Sequence, residues 1–199
     1  MSDKYDLLFL IQSEKLGIDW RLFKAMAAVE SSFDEQARSK CGALGLMQVM
    51  PSTAKDCGIA IPMLLYNPLI NVAIGTTYFV DATKAIDIDL RDRNEQWKAA
   101  LAAYNGGAGY VNVAIRLFEL NNKTAPRTWI DVAEYLTSDA CKVRNKRPNH
   151  KQIINYVGKV WMTYQEYCGR NKSVAPTVAQ EHGEQKDKSV NGERTTDNQ

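Results

Sequence analysis

The segment VESSFDEQARSKCGALGLMQVMPSTA, which runs from Val29 to Ala54, is the most informative part of the chain. Glu30 stands at the end of an apolar run, and a small-residue loop with the sequence GALGLMQ follows it at 42–48. A carboxyl group in apolar surroundings keeps its proton to a higher pH than one in water, which suits a group that donates a proton near neutrality. The segment therefore indicates a general acid of the kind that glycosidases use.

The residues before Glu30 predict a buried helix that holds it in apolar surroundings. Four residues recur at the spacing of one helical face, and this face carries one acid among apolar groups. They are Phe23, Met26, Ala27 and Glu30. We expect the helix to run from Trp20 to Val29 with Asp19 as its N-cap. Desolvation would raise the pKa of Glu30, and so would the helix dipole, which disfavours an anion at the C-terminal end.

The loop at 42–48 strengthens this interpretation. The alternative for Glu30 is a side chain that faces solvent at a frayed helix end, because glutamate is seldom fully buried. Gly42 and Gly45 permit positive φ and a tight reversal, so the backbone can come close to a ligand. A glycine-rich turn alone is weak evidence. In combination with Glu30 the loop becomes specific evidence for a site.

Three further motifs follow in order along the chain. NPLINVAIGTTY at 67–78 opens a predicted long helix, AYNGG occupies 103–107, and NYVGKV occupies 155–160. Together with ESSF, GALGLMQ and PSTA, these motifs resemble the soluble lytic transglycosylase (SLT) domain, and the resemblance covers about Asp19 to Trp161. It implies a mainly α, lysozyme-like helical domain of the kind found in goose-type lysozymes and lytic transglycosylases.

The resemblance also implies an activity and a set of site residues. The activity is cleavage of the β-1,4 bond between N-acetylmuramic acid and N-acetylglucosamine in peptidoglycan, without water, to give a 1,6-anhydro product. Glu30 would act first as the general acid and then as the base. The residues that would line the groove and orient the sugars are Ser39, Met47, Gln48, Tyr104, Asn105 and Tyr156, and Asn71 is a further candidate for substrate binding.

Two of these residues have structural alternatives. Asn71 lies one turn into a predicted helix, where its amide could bond a loop or a sugar, and the resemblance implies that it braces the loop at 42–48. Tyr104 follows Trp97 and Leu101 on a core-facing stripe, so it could be a core residue before a helix-ending Asn-Gly-Gly. The resemblance favours a hydroxyl in the groove, and a buried tyrosine needs a partner for that hydroxyl.

Other reactions remain as alternatives. Ordinary glycosidases use two carboxylates, and the nearest second candidates, Asp34 and Glu35, lie in a polar stretch where we expect them to be solvated. A hydrolytic lysozyme of the same fold would use one of them to guide water. A glycan-binding virion module would keep the groove without turnover. A cysteine peptidase with Cys41 and His150 is less consistent, because the glycines after Cys41 favour a loop over a helix start.

Composition limits the remaining possibilities. The 199 residues, 45% of them apolar, predict one catalytic domain at 1–169, and the polar stretch at 170–199 predicts a disordered tail. A net charge of +2 is too small to imply nucleic acid. The basic run within 142–151 could attract an anionic wall polymer, with a solvated loop as the alternative. Four cysteines without CxxC spacing and two histidines predict no metal site, and no cofactor is expected.

The sequence also bears on where the protein would act. No apolar run approaches the roughly 18 residues of a membrane span, and the short apolar stretch Leu7–Ile11 does not fit a signal peptide. A monomer acting on glycan strands of the periplasmic or extracellular wall would then need another route outward. A phage virion, a lysis protein released through a holin, other export, or a mature chain whose leader has been removed would each supply one.

Overall fold

The computed structural model describes residues 3–87, 89–90 and 92–170 of the chain. Within these ranges it consists of helices and loops, with isolated β-bridges but no strand. The helices are α1 (Asp6–Leu16), α2 (Trp20–Ser31), α3 (Pro51–Asp56), a 3-10 helix (Pro62–Tyr66), α4 (Pro68–Lys84), α5 (Arg93–Gly106), α6 (Ala108–Asn122), α7 (Trp129–Leu136) and α8 (His150–Arg170). None of them reaches the combination of length and hydropathy that a membrane span requires.

This architecture confirms the prediction of a mainly α fold. The 170–199 stretch predicted as a disordered tail lies outside the described residues, except for Arg170, at which α8 ends. The loop between α2 and α3 contains two of the isolated bridges, which pair Leu44 with Arg38 and with Val49. This loop and the ends of α2, α5 and α8 contain most of the residues that the sequence analysis selected.

α2 is the central helix, as its apolar sequence predicts. Asp19 caps it by accepting a hydrogen bond from the Arg21 N–H at 3.0 Å, and the same carboxylate binds the Arg21 guanidinium. The buried residues of α2 form an unbroken run over 22–27. α2 packs against α1 and α8, and Phe23 meets Phe79 of α4 edge to face with ring centroids 6.1 Å apart. Packing on several sides fixes the direction of its last turn, which contains Glu30.

The chain reverses immediately after Glu30. Ser32 and Phe33 both adopt positive φ, at 53° and 65°, which is uncommon for residues other than glycine. The Ser32 N–H donates to the Ala28 carbonyl at 3.0 Å and closes the helix. The Ser31 hydroxyl donates to the Leu46 carbonyl at 2.8 Å. The end of α2 is therefore tied directly to the glycine-containing loop.

α5 supports the other side of the site. It begins at the Asp92 N-cap, and the small residues of its AALAA segment at 99–103 are all buried. Small side chains let neighbouring helices approach closely, and α5 packs against α4, α6, α7 and α8. The helix ends where Gly107 adopts a φ of 97°. This ending places Tyr104 and Asn105 at the cavity that contains Glu30.

Candidate active site

Glu30 lies in the last turn of α2 with its side chain half-buried. Burial raises the pKa of Glu30 to about 7, and the Tyr156 hydroxyl acts in the opposite direction with a smaller effect. Both protonation states of the carboxyl group are thus populated near neutral pH. Such a group is able to donate a proton in one step and accept one in the next.

Tyr156 of α8 is the neighbour of the Glu30 carboxyl group. Its side chain is only 6% exposed, and its buried hydroxyl has no hydrogen bond of standard geometry within the described residues. Burial, followed by the charge of Glu30, raises the pKa of Tyr156 well above its usual value. A buried hydroxyl without a well-formed hydrogen bond is unusual. This neutral phenol is therefore available to Glu30 or to a bound ligand.

Tyr104 joins α5 to the glycine-containing loop. Its hydroxyl donates to the Met47 carbonyl at 2.7 Å, and its ring packs against Tyr78 of α4 with centroids 5.2 Å apart. Burial raises the pKa of Tyr104 well above its usual value, and the nearby Glu30 adds to this effect. Tyr104 thus has a ring that packs in the core and a hydroxyl that bonds the loop at the cavity. It combines features of the two roles considered from sequence, a core residue and a groove residue.

Asn71 braces the same loop from within the protein. Its Nδ2 donates to the carbonyls of Leu44 and Leu65, both at 2.8 Å, and its Oδ1 accepts from the Met47 N–H at 2.8 Å. The side chain is 0% exposed. Of the two roles considered for Asn71, the structure shows the bracing one. The alternative of substrate contact is wrong, because no sugar can reach an amide whose donors and acceptor are already bonded in the interior. Gly45, with φ at 72°, leaves room for this amide, since a Cβ there would overlap it.

Met47 also differs from the sequence prediction. Its side chain is 0% exposed and packs over Gly75 of α4, where an added Cβ would lie 2.7 Å from the Met47 Cβ. Met47 therefore does not line the groove with its side chain. Its contribution is the backbone carbonyl that accepts from Tyr104. Side chains along an irregular loop do not alternate with a fixed period, so the orientation of Met47 could not be predicted from its position in the sequence.

A cavity of about 510 Å³ contains Glu30. Four of the residues selected from sequence line it together with Glu30: Ser39, Gln48, Tyr104 and Asn105. Cys41, considered from sequence only as a nucleophile, also lines this cavity. The lining residues that were not predicted from sequence are Ala43, Val49, Met50, Thr53, Tyr78, Gly106, Gly107 and Gln152. Glu30 is the one carboxylate among all of these lining residues.

A second cavity, of about 360 Å³, continues from the first. Its lining residues are Val29, Asn105, Gln152, Asn155, Tyr156 and Lys159. Asn105 and Gln152 belong to both cavities, and the Gln152 Nε2 donates to the Asn105 Oδ1 at 3.4 Å. We refer to the two cavities together as the groove. Gln152, Asn155 and Lys159 share a face of α8 with Tyr156, so extending the helical spacing from Tyr156 would have identified them.

The other acidic candidates lie outside the groove. Glu35 accepts a hydrogen bond from the Tyr5 hydroxyl at 2.7 Å, and this bond, followed by one from Lys4, lowers the pKa of Glu35. Asp34 is exposed and accepts from the Gln36 N–H at 2.8 Å. Neither carboxylate lines either cavity of the groove.

Two further features are separate from the chemistry at Glu30. Cys41 lines the groove but His150 does not, so the groove lacks the thiol and imidazole pair of a cysteine peptidase. A third cavity, of about 520 Å³, lies among residues of α1, α4 and α5 and includes none of the residues selected from sequence.

Comparison with known proteins identifies related sequences. Residues 8–126 match the family model described as the Transglycosylase SLT domain. Over 133 residues, which are 67% of this chain, it is 31% identical to membrane-bound lytic murein transglycosylase F of Pseudomonas putida. Over the same length it is 32% identical to the protein of that name from Stutzerimonas stutzeri. The matched part is 26% of each relative, so the chain spans about a quarter of their length.

Comparison with solved structures identifies the same fold. An inactive mutant of the lytic transglycosylase Slt from Pseudomonas aeruginosa superposes with a TM-score of 0.63 at 23% identity, covering 87% of this chain and 25% of that one. The 70 kDa soluble lytic transglycosylase of Escherichia coli gives a TM-score of 0.59 at 25% identity, covering 83% of this chain and 24% of that one. Together with the family match, these likenesses confirm the resemblance stated from the sequence motifs, and the chain belongs to the Transglycosylase SLT domain family.

Proposed function

We propose that this protein is a peptidoglycan lytic transglycosylase that cleaves the β-1,4 bond between N-acetylmuramic acid and N-acetylglucosamine. The observation that carries the proposal is a single carboxyl group, Glu30, with a pKa of about 7 in a groove that no other carboxylate lines. Family membership and relatives named as lytic murein transglycosylases support the same activity.

Glu30 acts first as the general acid. In its protonated form it donates to the glycosidic oxygen, so that the bond to the anomeric carbon of the muramyl sugar breaks and the glucosaminyl part leaves as an alcohol. Positive charge develops on the muramyl ring, as in glycoside cleavage generally. Burial keeps Glu30 protonated at the pH where this step is needed.

Glu30 acts next as the base. Its carboxylate takes the proton of the muramyl 6-hydroxyl while that oxygen bonds to the anomeric carbon, which closes the 1,6-anhydro ring and restores the protonated acid. The two steps together neither consume nor release a water molecule. The substrate's acetamido group would stabilise the anomeric carbon between the steps, a task that a second carboxylate performs in retaining glycosidases.

Neutral polar groups surround Glu30 and suit a sugar. Ser39, Gln48, Tyr104 and Asn105 line the cavity around it, and Tyr156 lies beside its carboxyl group. The Tyr104 hydroxyl and the Gln48 amide nitrogen already donate to loop carbonyls. We infer that these two residues shape the groove, while Ser39, Asn105 and Tyr156 orient the sugar rings.

Product masses from purified sacculi test the reaction. Transglycosylation gives an anhydro end that is lighter by one water than the reducing end of a hydrolytic product. A reducing end would replace the proposal with a hydrolytic lysozyme. The matched variant is Glu30→Gln, which keeps the size of the side chain but cannot donate the proton, and we expect it to lose at least about a hundredfold in kcat.

Two controls complete the test. Glu35→Gln removes an acid outside the groove and is expected to cleave sacculi at the wild-type rate. If Glu30→Gln lyses sacculi as fast as wild type, Glu30 is not the acid. If neither the wild type nor any variant releases product while sacculi still bind, the protein is a glycan-binding module.

The proposal also covers partners and place of action. The substrate is the glycan strand of peptidoglycan, and the protein would act on the wall outside the cytoplasmic membrane as a monomer. Transport on a phage virion, release through a holin or another export route are compatible with this chemistry. Sedimentation of the purified protein measures the oligomeric state.

A further inference from the structure

The second cavity of the groove contains a cation that cleavage of the glycosidic bond does not use. Lys159 is the one basic residue that lines either cavity, and its side chain is exposed. It forms no ion pair with any of the described residues. The sugar rings of a glycan strand are neutral and are recognised through hydrogen bonds and ring packing. A lysine in the groove therefore indicates an additional, anionic part of the ligand.

Lys159 is not the charge partner of Glu30. An opposite charge within a few ångströms would favour the carboxylate and lower its pKa. The pKa of Glu30 is instead raised by burial, and the Tyr156 hydroxyl is the one group that acts against this increase. Lys159 is consequently free to bind an anion without removing the proton that the reaction needs.

The surroundings of Lys159 suit a carboxylate. Amide groups of Asn105, Gln152 and Asn155 line the same cavity and supply N–H donors. Within α8, no acidic residue occurs between His150 and Gln165, so no negative charge on this part of the helix competes for the ammonium group. One cation together with several amide donors is a chemistry that binds carboxylates.

The position of this cavity connects it to one sugar in particular. Lys159 lies one turn along α8 from Tyr156, a rise of about 4.5 Å, and Tyr156 is the neighbour of Glu30. On the proposed function, the muramyl sugar places its anomeric carbon and 6-hydroxyl at Glu30. The lactyl group of that sugar carries the stem peptide of peptidoglycan, whose side chains and C-terminus bear free carboxylates. The stem must therefore leave the groove close to Glu30.

We propose that the second cavity binds a free carboxylate of the stem peptide on the muramyl sugar, and that Lys159 is the specificity-determining residue. This inference rests on the proposed function and extends it from the glycan to the peptide. Binding in this way selects strands that still carry their stems. It adds affinity for the substrate and leaves the chemical step to Glu30.

Three substrates separate the possible sources of the carboxylate. The first is a set of purified glycan strands with intact stems. The second is the same strands after carbodiimide coupling with ammonia, which converts the carboxylates to neutral amides. The third is strands stripped by an amidase, which leaves a lactyl carboxylate on each muramyl sugar and no stem. The release of anhydro products gives kcat and KM for each substrate.

The variant is Lys159→Met, and Lys15→Met is its matched control, because Lys15 is an exposed lysine of a helix, α1, and lines neither cavity of the groove. On intact strands we expect Lys159→Met to raise KM about three- to tenfold with kcat unchanged. On amidated strands it should match the wild type. An equal loss with Lys15→Met, or an equal loss on amidated strands, would overturn the proposal.

The stripped strands separate this inference from the proposed function. Cleavage of stripped strands at the same rate by wild type and Lys159→Met is the expected result. A loss for Lys159→Met that occurs only on stripped strands would assign the cavity to the lactyl carboxylate and refute the stem assignment. If wild type cleaves none of the three substrates, the proposed function itself fails.

Discussion

The chemistry proposed for Glu30 depends on the position at which α2 ends. The side chain leaves the helix in its last turn, where burial disfavours the charged form and raises the pKa to about 7. Ser31, the next residue, ties that turn to the Leu46 carbonyl at 2.8 Å. The same burial that suits the acid for catalysis is unfavourable to the fold whenever Glu30 is ionised.

Folding stability should therefore depend on the protonation of Glu30. Because its pKa is about 7 in the folded state and about 4.3 in the unfolded chain, the folded protein binds more protons between these pH values. The contribution of Glu30 to stability thus falls as pH rises from 4 to 7, by up to about 3 kcal/mol. Relative to wild type, Glu30→Gln should gain this amount above pH 7. Urea unfolding at a series of pH values measures the difference.

Glu35 provides a control of opposite sign. The pKa of Glu35 is lowered by its hydrogen bond to Tyr5, so its contribution to stability is present at neutral pH and is lost in acid. Glu35→Gln should be less stable than wild type at pH 7, with the difference vanishing at low pH. A stability difference between Glu30→Gln and wild type that does not vary with pH would refute the burial of the Glu30 charge.

α4 supports the glycine-containing loop at 42–48 through its most closely packed positions. The Asn71 amide bonds two backbone groups of the loop, at Leu44 and Met47, and one carbonyl of the 3-10 helix. One turn later in α4, Gly75 makes room for the Met47 side chain. The Met47 carbonyl in turn accepts from Tyr104 of α5. The geometry around Glu30 thus depends on how closely the loop approaches α4.

Adding one methyl group to α4 should disturb this arrangement. Gly75→Ala would place a Cβ 2.7 Å from the Met47 Cβ, so the loop must move outward. We expect a loss of about 1–3 kcal/mol in the free energy of unfolding, together with lower activity on sacculi. Urea denaturation and product release measure the two effects.

The matched control lies in another helix. Gly158 of α8 has nothing within 4 Å of the position a Cβ would take. Gly158→Ala should stabilise the protein by about 0.5–1 kcal/mol through helix propensity alone. Equal changes in stability for the two glycine variants would show that Met47 does not require the space over Gly75.

Across the whole molecule, one buried lysine joins the N-terminal segment to the core. Lys24 of α2 is 4% exposed and binds Asp3 at 3.1 Å and Asp6 at 2.7 Å. Its ammonium group also lies over the rings of Trp20 and Tyr167. Burial acts to lower the pKa of Lys24, but the hydrogen bonds to Asp6 and Asp3 outweigh it, so the net pKa is raised.

Removing this lysine should weaken the packing of α1. Lys24→Ala leaves Asp6 without its partner and opens a space between α1, α2 and α8, and we expect a loss of about 3 kcal/mol in the free energy of unfolding. Amide hydrogen exchange should show faster opening of α1. Lys4→Ala, which removes an exposed ion pair to Glu35, should have no measurable effect. Equal stability of wild type and Lys24→Ala would show that the contacts of Lys24 with Asp3 and Asp6 do not stabilise the fold.

Much of the fold and part of the site were predictable from local patterns. The buried α2, its Asp19 cap and the Asn67 cap of α4 each follow from residues within a few positions of one another. Ser39, Gln48, Tyr104 and Asn105 were selected by motif and do line the cavity around Glu30. The other residues of α8 that line the groove were missed, because the motif identified Tyr156 alone and the helical spacing was not extended from it.

The sequence by itself determined the helices, the family and the candidate acid, because periodicity, caps and ordered motifs are properties of neighbouring residues. The tertiary structure decided which side chains reach the groove. Met47 and Asn71 stand in recognisable motifs yet point into the interior. Gln152 stands in none and lines the groove, and Lys159 lines it from a motif in which only Tyr156 was selected. The direction in which each of these side chains points depends on how α4, α5 and α8 pack around the loop. That packing involves residues far apart in the chain.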